Sequence, residues 1–536
     1  MKKIFPAIIC LMALSPALRA QRQAPLANAH KMGLYARSIE QVLRLREDQV
    51  DLATAALIVS EYWSDMVNGR RYLAQLDEMA LEIRARLERR KIGANFQAIP
   101  VINEYLFGEL GFKSVSETSD PGSLFLHTVM DKKRGYCLSL SMLYLSIGER
   151  LGLPLYGVVV PGHFFVRYDD GRARFNIETT SKGGTAPDEH YIAKFKVPQG
   201  GNNHIIYMKN LNKIQTLGCF FNNLGNSYSD IGDMDSALLA FERAVTINPT
   251  LSESRANLGN IYLKKDQVNK AISEYLAALD INPRDARTHN NLGNAYTQRD
   301  SLGYAVAEYL RSIELDPNFV DAYKNLAIVY SKQERYGRAI GQLNRALALA
   351  PEDAGCYSQL GDVYSQMGDY EQAIAQYKDA LKVKQDMVEA HYGLATCYNK
   401  LGLVEDEIWE YRRVLAASPD MVAALVNLGN AYFGKERYDA AIEQYEKAAR
   451  IQPEEAMVHY NLGAAYSKKK NYREAVAAYR KAVQIDPEIG DAHYGLAFGY
   501  YQLKQYKLAW RHIRIARKLG AQVTEDQLRA IESKVR

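Results

Sequence analysis

A beat of 34 residues runs through the second half of this chain. It falls on Pro249, Pro283, Pro317, Pro351, Gln385, Pro419, Pro453 and Pro487. Around each beat the same residues return, so this half is one supersecondary unit stacked on itself. A stack of identical units supplies surface. Any chemistry has to come from the part that does not repeat, the stretch before about Thr216.

Nine units of 34 residues fit, from 218–251 to 490–523. Position eight is small in each, for example Gly225, Gly259, Ala327 and Gly361, with Leu before it and Tyr three residues after it. Position twenty is Ala in eight units and Glu407 in the other. Small residues at these two places let a pair of helices cross closely, while Leu, Tyr and a later aromatic fill the space between them. The proline ends the second helix, since it has no N–H to donate. One such unit cannot bury its own apolar face, so neighbours must stack. The pattern resembles the tetratricopeptide (TPR) repeat, which implies an all-α superhelical solenoid whose inner face is lined by the first helix of each pair. Gln385 and Glu407 depart from the pattern and predict a local irregularity around units five and six. Residues 524–536 are read as a capping helix.

In units one to three that first helix carries Asn222, Asn223, Asn226, Asn257, Asn260, Asn290, Asn291 and Asn294. Each Asn side chain offers both donors and acceptors, so a column of them suits the backbone of an extended peptide. The column is similar to the asparagine ladder in the repeat domain of O-GlcNAc transferases. "NLGN" is also simply a common spelling of this repeat, so packing is the competing reading. His289, His391, His459 and His493 all occupy position four, a bulky packing site. They are read as structural, and no metal or cofactor is expected.

Charged residues are 24% of the chain, the hydrophobic fraction is 47%, and the net charge is a mild +5. With no basic block or face, nucleic acid is not an expected partner. Lys2 and Lys3 followed by the apolar run Ile4–Leu18, ending near Ala20, read as a signal peptide over residues 1–20. Fifteen residues with two prolines are short for a membrane span. The expectation is therefore an exported chain, periplasmic or extracellular in a bacterium, with no span in its mature form. Cys137, Cys219, Cys356 and Cys397 are too scattered for a disulfide framework. The last three are read as packing residues.

The non-repeating part opens with helical patterning over residues 30–115, including Leu73, Leu76, Ala80, Ile83 and Leu87 on one face and a short helix over Asn103–Phe112. Cys137, Leu140, Tyr144, Ile147 and Leu151 form an apolar stripe on a further helix, which Gly152 and Pro154 end. Strands are predicted over Leu155–Val160, His163–Tyr168 and Arg172–Ile177. Cys137 thus stands at a helix start, where backbone N–H groups favour negative charge and can hold an oxyanion. His163 opens one strand. Glu178 lies at the end of the next, with Asn176 two residues before it and on the same side. A thiol, an imidazole and a carboxylate in this order make a nucleophile, base and orienting group.

The motifs "RGYCLSLSMLYL" (134–145), "RLGLP" (150–154), "PGHFFVR" (161–167) and "FNIETTSKGG" (175–184), with Ile102–Phe107 before them, resemble the SirB-like proteins of the transglutaminase-like superfamily. That resemblance implies an α+β domain, similar in fold to papain-type cysteine proteases, over residues 30–184. It implies Cys137 as nucleophile, His163 as general base and Glu178 as orienting acid, with Asn176 the runner-up for the third role. The superfamily uses Asp in that place, and many SirB-like relatives lack the cysteine that this chain keeps. Residues 185–217 read as a connector with a short strand near Ile205–Met208.

Two functions follow from this reading. One is an exported thiol enzyme that acts on amide or ester bonds of a protein or peptide, by hydrolysis or acyl transfer through a thioester, with the repeats recruiting partners. The other is a non-catalytic scaffold whose front domain is a degenerate relative. A glycosyltransferase is disfavoured, because no room remains after the repeats for its catalytic domain.

Overall fold

The computed structural model describes residues 25–115, 120–197 and 207–535. The signal peptide expected over residues 1–20, the Gly200-Gly201 pair and Ile205–Ile206 lie outside them. The chain divides into two compact units, Met1–Arg299 and Asp300–Arg536.

The first unit begins with helices and a small sheet. Helix α1 (Leu52–Trp63) is capped by Asp51, whose carboxylate accepts from the Thr54 N–H at 2.8 Å. Helix α2 (Gly69–Arg89) buries Tyr72, Leu76, Ala80, Ile83 and Leu87 on one stripe. Helix α3 (Cys137–Leu151) is buried on nearly every side, as a helix apolar all round must be. It ends at Gly152, where φ is 72° and a side chain would be strained. The fully buried Arg150 ties the three helices together. Its Nε donates to Asp77 Oδ1 at 2.7 Å and its Nη1 to the Ser146 carbonyl at 3.1 Å, and Asp51 Oδ2 lies 3.7 Å away.

Four antiparallel strands follow in chain order: β1 (Leu155–Val160), β2 (His163–Asp169), β3 (Arg174–Glu178) and β4 (Gly184–Ala186). Val160 pairs with His163 across a tight turn at Pro161-Gly162, and Arg167 pairs with Asn176. Helix α4 (Asp188–Lys194) comes next.

The short helix expected over Asn103–Phe112 is instead an α-helix over Ala98–Asn103 that widens into a π-helix over Glu104–Glu109. Asn103 is fixed at the junction, donating to the Gly183 carbonyl at 3.0 Å and accepting from the Tyr144 hydroxyl at 2.8 Å. The strand expected near Ile205–Met208 is not formed at its described end. Met208 has a positive φ of 61°, which no strand continues, and its carbonyl accepts from Arg167 Nη1 at 2.6 Å.

The first repeat is built into the core of this unit. Its leading helix α5 (Lys213–Asp230) follows a bridge from Leu211 to Gly157 of β1. Phe220 meets Phe125 edge-on at 5.9 Å between ring centroids, and Tyr228 lies 5.8 Å from Trp63. Lys213 Nζ donates to Glu149 Oε1 at 2.7 Å and to the Val50 carbonyl at 2.8 Å. Helices α6 (Met234–Ile247), α7 (Ser252–Lys264), α8 (Val268–Ile281) and α9 (Ala286–Gln298) complete the unit.

The second unit, from Asp300, is a run of paired helices closed by a last helix over Glu525–Val535. In both units the glycine at position eight faces the aromatic at position twenty-four. A Cβ on Gly259 would stand 2.6 Å from the Tyr275 ring, and one on Gly361 would stand 2.5 Å from the Tyr377 ring. Where position eight is Ala327 or Ala497, the facing residue shrinks to Leu343 or Ile513, whereas Ala395 keeps a tyrosine, Tyr411, opposite it. Position fifteen of every unit is left-handed, but only Gly232, Gly368 and Gly402 are glycines there, while Asp266, Asp300, Glu334, Glu436, Lys470 and Lys504 are not.

The irregularity expected near Gln385 and Glu407 does not disturb the helices. Tyr370–Val383, Val388–Leu401 and Val404–Ala417 keep the spacing of their neighbours. Glu407 is buried, accepts from Asn399 Nδ2 at 3.0 Å, and has its carboxyl pushed up by burial, so the departure is absorbed by one side chain. The position-four histidines share one device. His289, His391, His459 and His493 each place Nε2 within 2.9–3.3 Å of the carbonyl at the beat six residues earlier.

Two substitutions test this packing. Gly361→Val forces apart the Gly361–Tyr377 contact and should cost about 1–3 kcal/mol, read as a lower midpoint in urea. Lys470→Gly relieves a left-handed lysine and should stabilise the fold by up to about 1 kcal/mol, read as a higher midpoint.

Candidate active site

The sequence places a thiol at a helix start by a specific local device. Gly135 precedes the turn, where a Cβ would stand 2.7 Å from Ser139 Oγ and 3.0 Å from Val129. The absent side chain lets Ser139 Oγ accept from the Tyr136 N–H at 2.8 Å, which pins the first turn of α3. Cys137 is the first residue of that turn and is partly exposed. Thr179, just past β3, donates to the Cys137 carbonyl at 3.4 Å and bonds Ser141 at 3.0 Å, so the end of β3 is tied to the start of α3.

His163 opens β2 and Glu178 closes β3, and their side chains meet, Nε2 to Oε2, at 2.7 Å. The Cys137 thiol lies close enough to the imidazole to raise its pKa, and the two side chains line one cavity. The three side chains read from the sequence as nucleophile, base and acid therefore gather around one imidazole. Both members of the His163–Glu178 pair are shielded, with 13% and 15% of their side chains exposed.

The electrostatics follow from this arrangement. Burial works against a charged ring at His163, but hydrogen bonds and charge from Cys137 and Glu178 outweigh it and raise its pKa from 6.5 to about 9. Burial also works against the Glu178 charge. The hydrogen bonds and charge of His163, with two bonds from Thr180, outweigh it and hold the carboxyl below its usual range. The Thr180 bonds reach Oε1, at 3.1 Å from the N–H and 2.5 Å from the hydroxyl.

Two rings complete the site, and both come from the stretch read as a connector. Phe195 stacks on the imidazole at 4.7 Å with 6° between planes. Tyr191 of α4 stacks on Phe165 at 4.0 Å and points its hydroxyl at Glu178 Oε2, 3.4 Å away. Burial and the Glu178 charge push the Tyr191 hydroxyl up, so it stays a donor. An aromatic at each end of "YIAKF" (191–195) is the only sequence signal for them, and nothing in it names the histidine as their target.

Asn176, the runner-up for the third role, is engaged elsewhere. Its Oδ1 accepts from Arg167 Nε at 2.7 Å, and its Nδ2 donates to Asp188 Oδ1 at 2.7 Å and to the Ala186 carbonyl at 3.1 Å. Arg167 also donates to Asp188 at 2.6 Å. This buried cluster joins β2, β3, β4 and α4, and so seats the helix that carries Tyr191.

The asparagines of the first repeats lie in the same compact unit. A cavity of about 400 Å³ is lined by Cys137 and His163 and, from the repeats, by Asn222, Asn223, Asn226 and Glu253. A second, of about 340 Å³, is lined by Asn226, Asn257, Asn260, Asn291 and Asn294. The amides bond one another along this face. Asn257 Nδ2 reaches Asn222 Oδ1 at 3.2 Å and Asn226 Oδ1 at 3.1 Å, and Asn291 Nδ2 reaches Asn260 Oδ1 at 3.0 Å. Cys219, Cys356 and Cys397 are buried thiols, and burial pushes each of them up, Cys219 to about 12. Among the described residues no group of three His, Cys, Asp or Glu is placed to hold a metal ion.

Comparison with known proteins gives the same two parts. Residues 70–207 match the family model of the transglutaminase-like superfamily. Tetratricopeptide repeat models match segments from residue 220 to residue 488. A UPF0162 protein of Xylella fastidiosa is 29% identical over 170 residues, 27% of this chain and 58% of that one. A second from the same species is 32% identical over 123 residues, 22% of this chain and 43% of that one. This chain thus spans about half the length of these relatives. A UPF0162 protein of Pseudomonas aeruginosa is 24% identical over 206 residues, 38% of this chain and 75% of that one. Among solved structures, YrrB, described as a TPR protein with an unusual peptide-binding site, is 26% identical over 37% of this chain and 97% of that one, with a TM-score of 0.29. The chain carries a transglutaminase-like core domain followed by multiple tetratricopeptide repeats.

Proposed function

We propose that this protein is an exported thiol enzyme that acts on amide or ester bonds of a protein or peptide, with Cys137 as nucleophile, His163 as acid and base, and Glu178 as the group that orients and charges the imidazole. The reading rests on one observation above all, the Cys137 thiol and the Glu178 carboxylate gathered on one imidazole, His163. Export rests on Lys2, Lys3 and the apolar run that follows them.

The chemistry can be written step by step. The sulfur attacks the carbonyl carbon, and a carbon–sulfur bond forms. The carbonyl oxygen takes up negative charge near the N–H groups that open α3. The bond to nitrogen or oxygen then breaks, and His163 gives its proton to the leaving group, producing a thioester. Water or an amine, losing a proton to His163, attacks the thioester and returns the thiol. Glu178 keeps its charge throughout and stabilises the imidazolium, as the acid of such triads does.

The imidazole is the part most directly tested. Followed by NMR, the His163 ring should titrate near 9 rather than 6.5, and Glu178→Gln should move the midpoint downward. A wild-type midpoint below about 7, ordinary for histidine, would contradict the charged pair. The same shift makes a stability statement. Because the folded ring binds its proton more tightly, its stabilisation is complete below 6.5 and is lost as pH rises through about 9.

The thiol has its own test. Iodoacetamide at neutral pH should label Cys137 at least about tenfold faster than Cys219, Cys356 or Cys397, all three buried. Equal rates would leave Cys137 as nucleophile without support. Cys137→Ala should fold normally and lose turnover, and Glu178→Gln should lower turnover by about 10²–10⁴-fold. If turnover survives in Cys137→Ala, the domain does not use this nucleophile.

A further inference from the structure

The thiol and the asparagine column are walls of adjoining cavities. Helix α5, the first helix of the repeats, contributes Asn222, Asn223 and Asn226 to the cavity that holds Cys137 and His163. Asn226 also lines the next cavity, with Asn257, Asn260 and Asn291. The first repeat is fixed to the front domain by a shared apolar core that includes Phe125, Phe220 and Leu224. One wall of the thiol's cavity therefore belongs to the repeats, and it is held in place.

We infer that the first three repeats are the substrate-binding half of the active site, holding an extended polypeptide segment on the asparagine column so that one of its carbonyl groups is delivered to Cys137. The inference rests on the thiol-enzyme reading above and adds the extended conformation in which the substrate is held and its route of entry. An extended polypeptide repeats a donor and an acceptor at every residue. The column answers it in kind, since each Asn amide has two donors and two acceptor lone pairs. The mutual bonds at 3.0–3.2 Å set these amides in a row, with Ser254 Oγ also donating to Asn222 Oδ1 at 3.1 Å and the Tyr275 hydroxyl to Asn260 Oδ1 at 2.7 Å, so the Asn222 and Asn260 oxygens serve the row while the Asn226 amide accepts one bond from it. The lining at the thiol carries the carboxyls of Asp230 and Glu253 together with the positive imidazole of His163. Glu253 is itself held by the Tyr207 hydroxyl at 3.1 Å, and burial raises its pKa to about 7, so it gains charge most readily beside a cation.

The test uses the full chain and two thiol-directed probes. One is iodoacetamide. The other is a pool of random-sequence peptides about ten residues long, enough to span several repeats when extended, each capped with an iodoacetyl group. Both rates at Cys137 are divided by the rate with free cysteine. The capped peptides should then exceed iodoacetamide by about tenfold or more, the signature of binding before reaction. Asn257→Ala and Asn226→Lys should each bring that ratio towards one. Protection of the buried Cys219 reports that each variant is folded, and either folded variant decides the question. A wild-type ratio near one, with Cys137 still fast towards iodoacetamide, overturns the inference and leaves the thiol enzyme standing. So does a high ratio that a folded variant preserves. A Cys137 no faster than Cys219 towards iodoacetamide overturns both.

Discussion

A charge held in a ring-lined space organises the front domain around it. Glu178 is anchored by Thr180 and reached by Tyr191, so it can keep a negative charge where water is scarce. That charge sustains a positive imidazole at His163, with Phe195 stacked over the ring. Removing one partner of so shielded a pair would leave the other uncompensated, which is the more costly state. The surrounding structure serves the pair. Strands β2 and β3 carry its two members, and the Arg167–Asn176–Asp188 cluster seats the helix that supplies Tyr191.

A second constraint is geometric. Cys137 must start a helix that is buried almost everywhere else, and the chain meets this through Gly135, Ser139 and Gly152. Arg150, at the other end of α3, is fully buried and bonded to Asp77 of α2, close to the Asp51 cap of α1. The helix that begins at Cys137 is thus gripped at both ends by polar contacts inside an apolar core. Packing along its length and these end contacts hold it in one position.

Local patterns disclosed much of this from the sequence. The 34-residue beat, the small residue at position eight and the strands around His163 are short-range signals, and each appears in the structure where the residues place it. The order Cys137, His163, Glu178 was legible because a helix start and two strands fix which side chains share a face. What escaped was non-local. Tyr191 and Phe195 sit in a stretch that reads as linker, and only the folded sheet brings them to the imidazole. Asn176 and Glu178 share a face, and alternation cannot say which of them meets the histidine; register and the Arg167 side chain decide it. The local irregularity expected around Gln385 and Glu407 does not form, because a buried carboxyl satisfied by Asn399 fits within a continuous helix.

The merging of the first repeat with the front domain also bears on how such a chain can change over generations. Lys213, Phe220 and Tyr228 are committed to partners in the front domain. Loss or replacement of that opening repeat would strip the core of the domain before it. The second repeat is tied in as well, through Glu253 and the Tyr207 hydroxyl. A deletion within these opening helices would therefore cost the front domain part of its own interior.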